Sequence, residues 1–462
     1  MQLEFDRGTV IIRPGASPTS VADLPGIRWD SRVRVWRAPA RFQAAIVSEL
    51  RARGVRFVDR VGRRMDGVSS TWCPAEQLAL RDYQRDAVQA WLAAGQRGLI
   101  VLPTGAGKTR VAIAAMRALA RPTLCLAPTR ILVEQWRTTL AGFYGGPVGQ
   151  LGDGVHDLQA VTVATLASAY QWMGRIGDQF GLLVVDEVHH LGHGLYEEIL
   201  DMTTAPARLG LTATPPGATG AAALAELVGP VVFSRTVADL AGTALAPFEL
   251  VPVPVALTAA EAEQYRDLRA QFLAAYVPFT LAAPAATWAD FVAATGRSSS
   301  GRQALAAWRR ARELVTAADG KRQALATLLA RHPDARVLVF TADNTSAYRI
   351  AREHLIMPIT CEIKRRERDD VLAAFRAGTL RHLVSARVLN EGVDVPDADV
   401  AIIVGAAAGA REFVQRVGRV LRPRDGKRAV VYELVVEVGS EPARARRRHD
   451  AVAGPAGTGA LP

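Results

Sequence analysis

Residues 99–109 read Leu-Ile-Val-Leu-Pro-Thr-Gly-Ala-Gly-Lys-Thr, an aliphatic run that breaks into a loop of two glycines, a lysine and a threonine. Leu99 to Leu102 reads as a buried strand, and the apolar spacing of Val111, Ile113, Met116 and Leu119 reads as a helix. A strand-to-helix turn of this composition makes a phosphate cradle. Gly105 and Gly107 let the backbone approach an anion, and the free N–H groups and dipole of the helix start point at it. Thr104 and Ala106 complete the loop. Lys108 would reach the β- and γ-phosphates, and the Thr109 hydroxyl would hold Mg²⁺. The strict pattern wants glycine at 102, where leucine stands, so this stretch alone leaves an ordinary glycine-rich turn as the alternative.

Downstream, strands and helices alternate. Thr123 to Ala127, Ala160 to Ala164, Phe180 to Asp186 and Arg208 to Ala213 read as strands, with a helix from Ile131. Near-continuous apolar strands in this alternation predict a parallel sheet covered on both faces over residues 75–245, its active edge at the carboxyl ends of the strands. Asp186 and Glu187 stand just past such a strand. Asp186 would hold Mg²⁺ through its waters, and Glu187 would orient and deprotonate the attacking water. An acidic pair there can simply cap the next helix; downstream of a phosphate loop in an alternating pattern it reads as the loop's partner. Upstream, Leu80-Arg81-Asp82-Tyr83-Gln84 opens a helix. Gln84 either pairs with an adenine edge or is a solvated helix residue.

From 246 to 320 the alternation stops. Glu261 to Ala275 and Arg302 to Ala317 read as helices of an insert in which Arg302, Arg309, Arg310 and Arg312 form a binding face or a merely solvated one. Alternation resumes at Arg336 to Thr341, and residues 321–440 read as a second parallel sheet with its helices. The loop Asn390 to Asp394 follows one of its strands. On its last helix Arg416, Arg419 and Arg422 lie three apart on one flank, the arginine fingers that phosphoryl transfer needs. Residues 441–462 read as a basic, disordered tail. Residues 1–65 read as a small α+β domain with strands at Gly8 to Ile12 and Val33 to Trp36 and a helix from Arg41 to Arg53. Trp29 and Trp36 read as its core or, with Arg28, Arg32 and Arg34, as a stacking surface. Arg60 to Pro74 reads as a linker.

The 462 residues are enough for two to four domains, and 22% charged against 49% hydrophobic residues mark a globular chain. The net charge of +11, carried almost entirely by arginine, suits phosphate recognition; a GC-rich coding bias accounts for it equally well. Cys73, Cys125 and Cys361 are too far apart for a metal motif or a disulfide framework. No signal peptide and no membrane-length apolar run is present, so the expected location is the cytoplasm.

The ordered series Pro103 to Thr109, Ala127-Pro-Thr-Arg130, Asp186-Glu-Val-His189, Leu211-Thr-Ala-Thr-Pro215, Asn390 to Asp394 and Gln415 to Arg422 resembles the motif set of superfamily 2 helicases. Asp-Glu-Val-His-His, with Leu-Arg-Asp-Tyr-Gln before it and Leu-Asn-Glu-Gly-Val-Asp-Val-Pro-Asp-Ala-Asp after it, resembles the XPB family, in its short archaeal and bacterial type. The resemblance implies an α/β fold of two RecA-like parallel-sheet lobes with a small N-terminal damage-recognition domain and a helical thumb insert. It implies ATP-dependent 3′-to-5′ DNA translocation and unwinding in nucleotide excision repair. ATP and Mg²⁺ are the implied cofactors, single-stranded and forked or damaged duplex DNA the implied partner, with a structure-specific nuclease beside it; no RNA or membrane partner is expected. By the same resemblance Arg81, Gln84 and Asp394 join the nucleotide site, His189 couples to Gln415, Arg419 and Arg422 are the fingers, and Thr129, Arg130, Thr165 and Ser385 touch the DNA backbone.

Two departures stand out. The family's Arg-Glu-Asp element, which helps separate strands, is replaced by the uncharged Pro215-Pro-Gly-Ala-Thr-Gly220, and its basic residue after Phe-Thr is replaced by Ala342-Asp343. Two other readings therefore stay open: a duplex translocase that does not separate strands, and a nucleotide-toggled damage-binding scaffold that recruits a nuclease.

Overall fold

The computed structural model describes residues 1–13, 21–62, 72–191, 194, 196–386, 398–405, 409–421 and 426–453. The chain divides into two units, Met1–Leu240 and Ala241–Pro462.

In the first unit, a small sheet forms from β1 (Gln2–Asp6), β2 (Thr9–Arg13), β3 (Arg28–Asp30), β4 (Val35–Pro39) and β5 (Val58–Asp59), ordered β3-β4-β2-β1-β5. Leu3, Val10, Ile12 and Ala38 bury one face with Ile46 and Leu50 of the helix Gln43–Ala52. Trp36 packs against this core, but Trp29 is 49% exposed and meets Trp36 edge-on at 5.2 Å. The core reading thus holds for one tryptophan and fails for the other, because β3 is the edge strand of the sheet. Arg41, following β4, pairs with Asp201 at 2.6 Å and Glu226 at 2.8 Å.

The larger sheet of this unit comprises β6 (Arg97–Val101), β7 (Thr123–Ala127), β8 (Val148–Gly152), β9 (Val155–Asp157), β10 (Val161–Thr165), β11 (Leu182–Val185), β12 (Ala207–Thr212) and β13 (Val231–Ser234), ordered β13-β6-β12-β11-β7-β10-β8-β9. All pairs are parallel except the β8–β9 hairpin. β7, β11 and β12 are buried along their whole length, the burial that crossover helices on both faces impose. Arg208 on β12 is buried among the carbonyls of Leu200, Thr203, Ala205 and Leu227, to which it donates at 2.6–3.1 Å. Burial and the nearby Arg97 and Arg41 push its pKa down to about 9, yet the guanidinium stays charged at neutral pH because four acceptors surround it.

The second unit holds β14 (Phe248–Val255), β15 (Val337–Phe340), β16 (Met357–Ile359), β17 (His382–Ser385), β18 (Val400–Ile403) and β19 (Ala429–Val436), all parallel and ordered β14-β19-β18-β15-β17-β16. β14 corrects the insert's boundary: residues 248–255 pair along β19 and belong to this sheet. Its Pro252 and Pro254 disguise a strand, which they tolerate because β14 is an edge. The insert itself is three helices, Ala259–Ala282, Trp288–Thr295 and Ser299–Ala317. The first two close on an aromatic cluster of Phe272, Tyr276, Trp288 and Phe291 with centroids 5.0–6.3 Å apart, and the third joins it through Trp308 at 4.8 Å from Trp288.

The tail reading is corrected as well. Glu441–Ala453 is a helix that buries Ala445, Arg448 and Val452. Arg448 Nε pairs with Oε1 of the buried Glu433 at 2.7 Å, and His449 Nε2 meets the other oxygen at 2.6 Å. Part of the positive charge that suggested disorder is neutralised inside the fold. Residues 454–462 lie outside the described residues.

Candidate active site

β6 ends at Val101, and the loop turns through Gly105 and Gly107 at φ +87° and +77° before the helix Lys108–Leu119. Both glycines occupy the left-handed region, and a Cβ on Gly107 would stand 2.5 Å from Gln84 Nε2. Leucine at 102 does no harm, since its side chain is fully buried and its carbonyl accepts Lys108 Nζ at 3.3 Å. Thr104 and Thr109 flank the glycines, and Ala106 is buried at the loop's centre.

Gln84 is buried against this loop. Its Nε2 donates to Ala106 O at 2.9 Å while its Oε1 accepts the Arg81 N–H at 3.0 Å, capping the helix Asp82–Ala93. Tyr83 donates to the same Ala106 carbonyl at 2.6 Å. Gln84 is therefore no solvated helix residue: it braces the loop.

Two strands away in the sheet, β11 delivers Asp186 and Glu187. Glu187 takes φ +47°, uncommon for a residue with a side chain and a mark of functional strain. Its Oε1 lies 3.7 Å from Lys108 Nζ. Its Oε2 is buried 3.3 Å from His189 Nδ1 but makes no hydrogen bond. His189 Nδ1 is 3.1 Å from Thr212 Oγ1. Thr212 Oγ1 also lies 2.9 Å from Thr214 O, to which its hydroxyl can donate. Asp186 is buried, accepting Glu187 N–H at 3.0 Å and Trp136 Nε1–H at 2.8 Å. Burial and the adjacent Glu187 carboxylate push its carboxyl up to about 6, against the Lys108 ammonium and both N–H donors.

These residues fit a magnesium nucleotide. Two left-handed glycines and a helix start cradle phosphate, the ammonium meets it, and the unsatisfied Glu187 oxygen wants a donor such as a water. Among the described residues no cluster of three metal-ligating side chains occurs. Mg²⁺ on a nucleotide needs none, since it keeps waters and takes one carboxylate and the phosphates.

Thr129 caps the helix Arg130–Ala141 at the end of β7, and Thr165 caps the helix Leu166–Ile176 at the end of β10. β7 pairs with β10 on one side and β11 on the other, so both threonines share the sheet edge that bears Asp186. Arg130 is exposed and pairs with Asp153 at 2.6 Å.

In the second unit two expectations are overturned. Arg416 is no finger. It is buried, donates to the carbonyls of Thr341 and Gly405 at 3.0 and 3.1 Å, pairs with Glu412 at 2.6 Å and lies over the Phe340 ring. Ser385 is fully buried with its hydroxyl bonded to Ile359 O at 3.0 Å, so it does not present itself to a DNA backbone. Gln415 is buried on the helix Ala410–Val420. Asp394, Arg422 and the side chain of Arg419 lie outside the described residues. Sequence reading missed Trp136 as the partner of Asp186 and Thr212 as the partner of His189. The indole fifty residues upstream left no signal, whereas Thr212 stood inside the quoted Leu-Thr-Ala-Thr-Pro motif.

Comparison with known proteins gives three family matches: the Xeroderma pigmentosum group B helicase damage recognition domain at residues 3–61, the type III restriction enzyme res subunit at 77–217 and the helicase conserved C-terminal domain at 320–424. The chain is 34% identical over 440 residues to the DNA 3′-5′ translocase XPB2 of Sulfurisphaera tokodaii, covering 93% of this chain and 97% of that protein. It is 30% identical to a putative DNA 3′-5′ helicase Rad25 of Haloarcula marismortui, covering 81% of this chain and 55% of that one. It is 29% identical to the DNA 3′-5′ helicase XPB of Mycobacterium tuberculosis, covering 78% and 61%. In fold it is similar to the Hef helicase domain of Pyrococcus furiosus, with a TM-score of 0.54 at 20% identity over 81% of this chain and 99% of that one.

Proposed function

The chain belongs to the XPB family of superfamily 2 helicases, and from that premise we propose that it is an ATP-dependent 3′-to-5′ DNA motor that opens or remodels duplex DNA in nucleotide excision repair. The observation that carries the catalytic part is the meeting of Lys108 and Glu187 at 3.7 Å beside the buried Asp186. In this reading Gly105, Gly107 and the helix start bind the phosphates, Lys108 holds the β- and γ-oxygens, and Thr109 and Asp186 hold Mg²⁺, which supplies charge neutralisation. Glu187 takes a proton from the attacking water. His189, hydrogen-bonded to Thr212, stands beside the second Glu187 oxygen. Arg81 and Gln84 face the base, with Gln84 exchanging its bond to Ala106 for the adenine edge, and Asp394 completes the pocket. Thr129, Arg130 and Thr165 contact the DNA backbone. No helix among the described residues is long and apolar enough to cross a membrane, in keeping with action on cytoplasmic DNA, where a structure-specific nuclease is a fitting partner.

Steady-state ATP hydrolysis measured alone and with single-stranded DNA, forked duplex and RNA, with Glu187→Gln as blank, tests this. Stimulation by DNA and not RNA is expected; hydrolysis that ignores DNA would turn the reading toward a scaffold. The uncharged Pro215–Gly220 segment favours a second reading, duplex translocation without strand separation. Displacement of a third strand without unwinding of a fork selects it.

A further inference from the structure

Trp136 is 2% exposed and donates from Nε1 to Oδ2 of Asp186 at 2.8 Å. Phosphate binding does not call for an indole here. Trp136 lies seven residues beyond Thr129, two turns along the helix that Thr129 caps. Asp186 is also tied to the strand feeding that helix, since its N–H donates to Leu126 O at 2.8 Å. One segment, 126–136, therefore holds both the backbone and the carboxylate of Asp186, and its middle carries Thr129 and Arg130. Val133, Trp136 and Leu140 form the helix's buried face, so helix and indole shift together.

We propose that Trp136 is the positioning residue through which DNA at the start of this helix sets the Asp186 carboxylate, making hydrolysis DNA-dependent. The proposal rests on the assignment of Thr129 and Arg130 to the DNA backbone. An indole N–H is a single fixed donor, and a hydrogen bond weakens steeply as it bends. A small movement of the helix end therefore changes where and how rigidly the carboxylate is held, and so how its remaining lone pairs are aimed. By linkage, DNA then raises the affinity for the magnesium nucleotide, and the magnesium nucleotide raises the affinity for DNA by the same factor.

Trp136→Phe, which keeps a buried ring and removes the donor, tests this in the full chain. Fluorescent ADP is titrated with and without Mg²⁺ and with and without single-stranded DNA, alongside basal and DNA-stimulated hydrolysis. DNA binding without nucleotide and ADP binding without Mg²⁺ stay at the wild-type level. The Mg²⁺-dependent gain in ADP affinity and the stimulation of kcat by DNA each fall about tenfold, as loss of a hydrogen bond to a charged group implies. Trp136→3-benzothienylalanine keeps the bicyclic shape without the N–H and gives the same pattern. Wild-type coupling in that variant, or equal losses in basal and stimulated rates, overturns the proposal. A wild-type chain that DNA does not stimulate overturns the reading beneath it and the proposal with it. Equal stimulation of wild type and both variants overturns the proposal alone.

Discussion

Lys108 Nζ stands 3.7 Å from Oε1 of Glu187, both side chains largely buried. On the proposed reading, the cation that would meet phosphate is thus held against the carboxylate that would take the water's proton. Glu187→Gln removes the base and the counter-charge together. Hydrolysis is expected to fall at least about a hundredfold, while nucleotide binds as tightly as before or tighter. Turnover assays paired with fluorescent-nucleotide titration check both halves, and retained turnover removes Glu187 from its role.

Gly107 has a Cβ-forbidding environment, with φ +77° and Gln84 Nε2 at 2.5 Å. Gly107→Ala costs about 1 kcal/mol in backbone strain and pushes Gln84 off the loop, so nucleotide affinity is expected to drop about tenfold or more. Adding Gln84→Ala relieves the clash but leaves the strain and removes the group assigned to the adenine edge, so titration of the double variant shows no recovery of nucleotide affinity.

Lys321 is buried and donates to Val404 O at 2.8 Å, and burial lowers its pKa from 10.5 to about 8. Between these values the unfolded chain binds more protons than the folded one, so this lysine makes stability rise with pH from 8 toward 10.5. Below pH 8 its contribution is a constant penalty of about 3 kcal/mol at most. Urea unfolding of Lys321→Met against wild type across this range reads the slope: the difference between them shrinks as pH rises.

Glu433 is buried between Arg448 and His449. Arg448→Ala leaves that buried carboxylate with His449 alone of the two partners, which costs up to about 3–5 kcal/mol. Chemical denaturation is expected to show the loss, whereas a disordered tail would show none.

Arg130 is exposed and shared with Asp153. If it leaves Asp153 for a phosphate, Arg130→Ala weakens binding evenly across DNA sequences and flattens the log-affinity against log-salt slope by about one. An unchanged slope places the arginine off the DNA.

Legibility in the sequence followed locality. The phosphate loop, the Asp186–Glu187 pair and the helix caps Thr129 and Thr165 are each set by a few adjacent residues and their backbone geometry, so quoting them was nearly enough to place them. Arg416 shows the limit. A spacing of three puts Arg416, Arg419 and Arg422 on one flank but does not say how that flank lies against the sheet, and burial over Phe340 turned the first of them into a core brace. β14 was hidden by its prolines, and the helix Glu441–Ala453 by its charges.

By itself the sequence determined the family, the alternation that makes two parallel sheets, and the chemistry collected at the phosphate loop, because motif order and apolar periodicity are properties of the chain alone. Only the tertiary structure decided which polar groups are working surface and which are scaffolding. Trp136 reaches Asp186, Glu433 takes up Arg448, and Ser385 turns inward because a buried polar atom must find whatever partner the fold brings within about 3 Å. No sequence spacing encodes that distance.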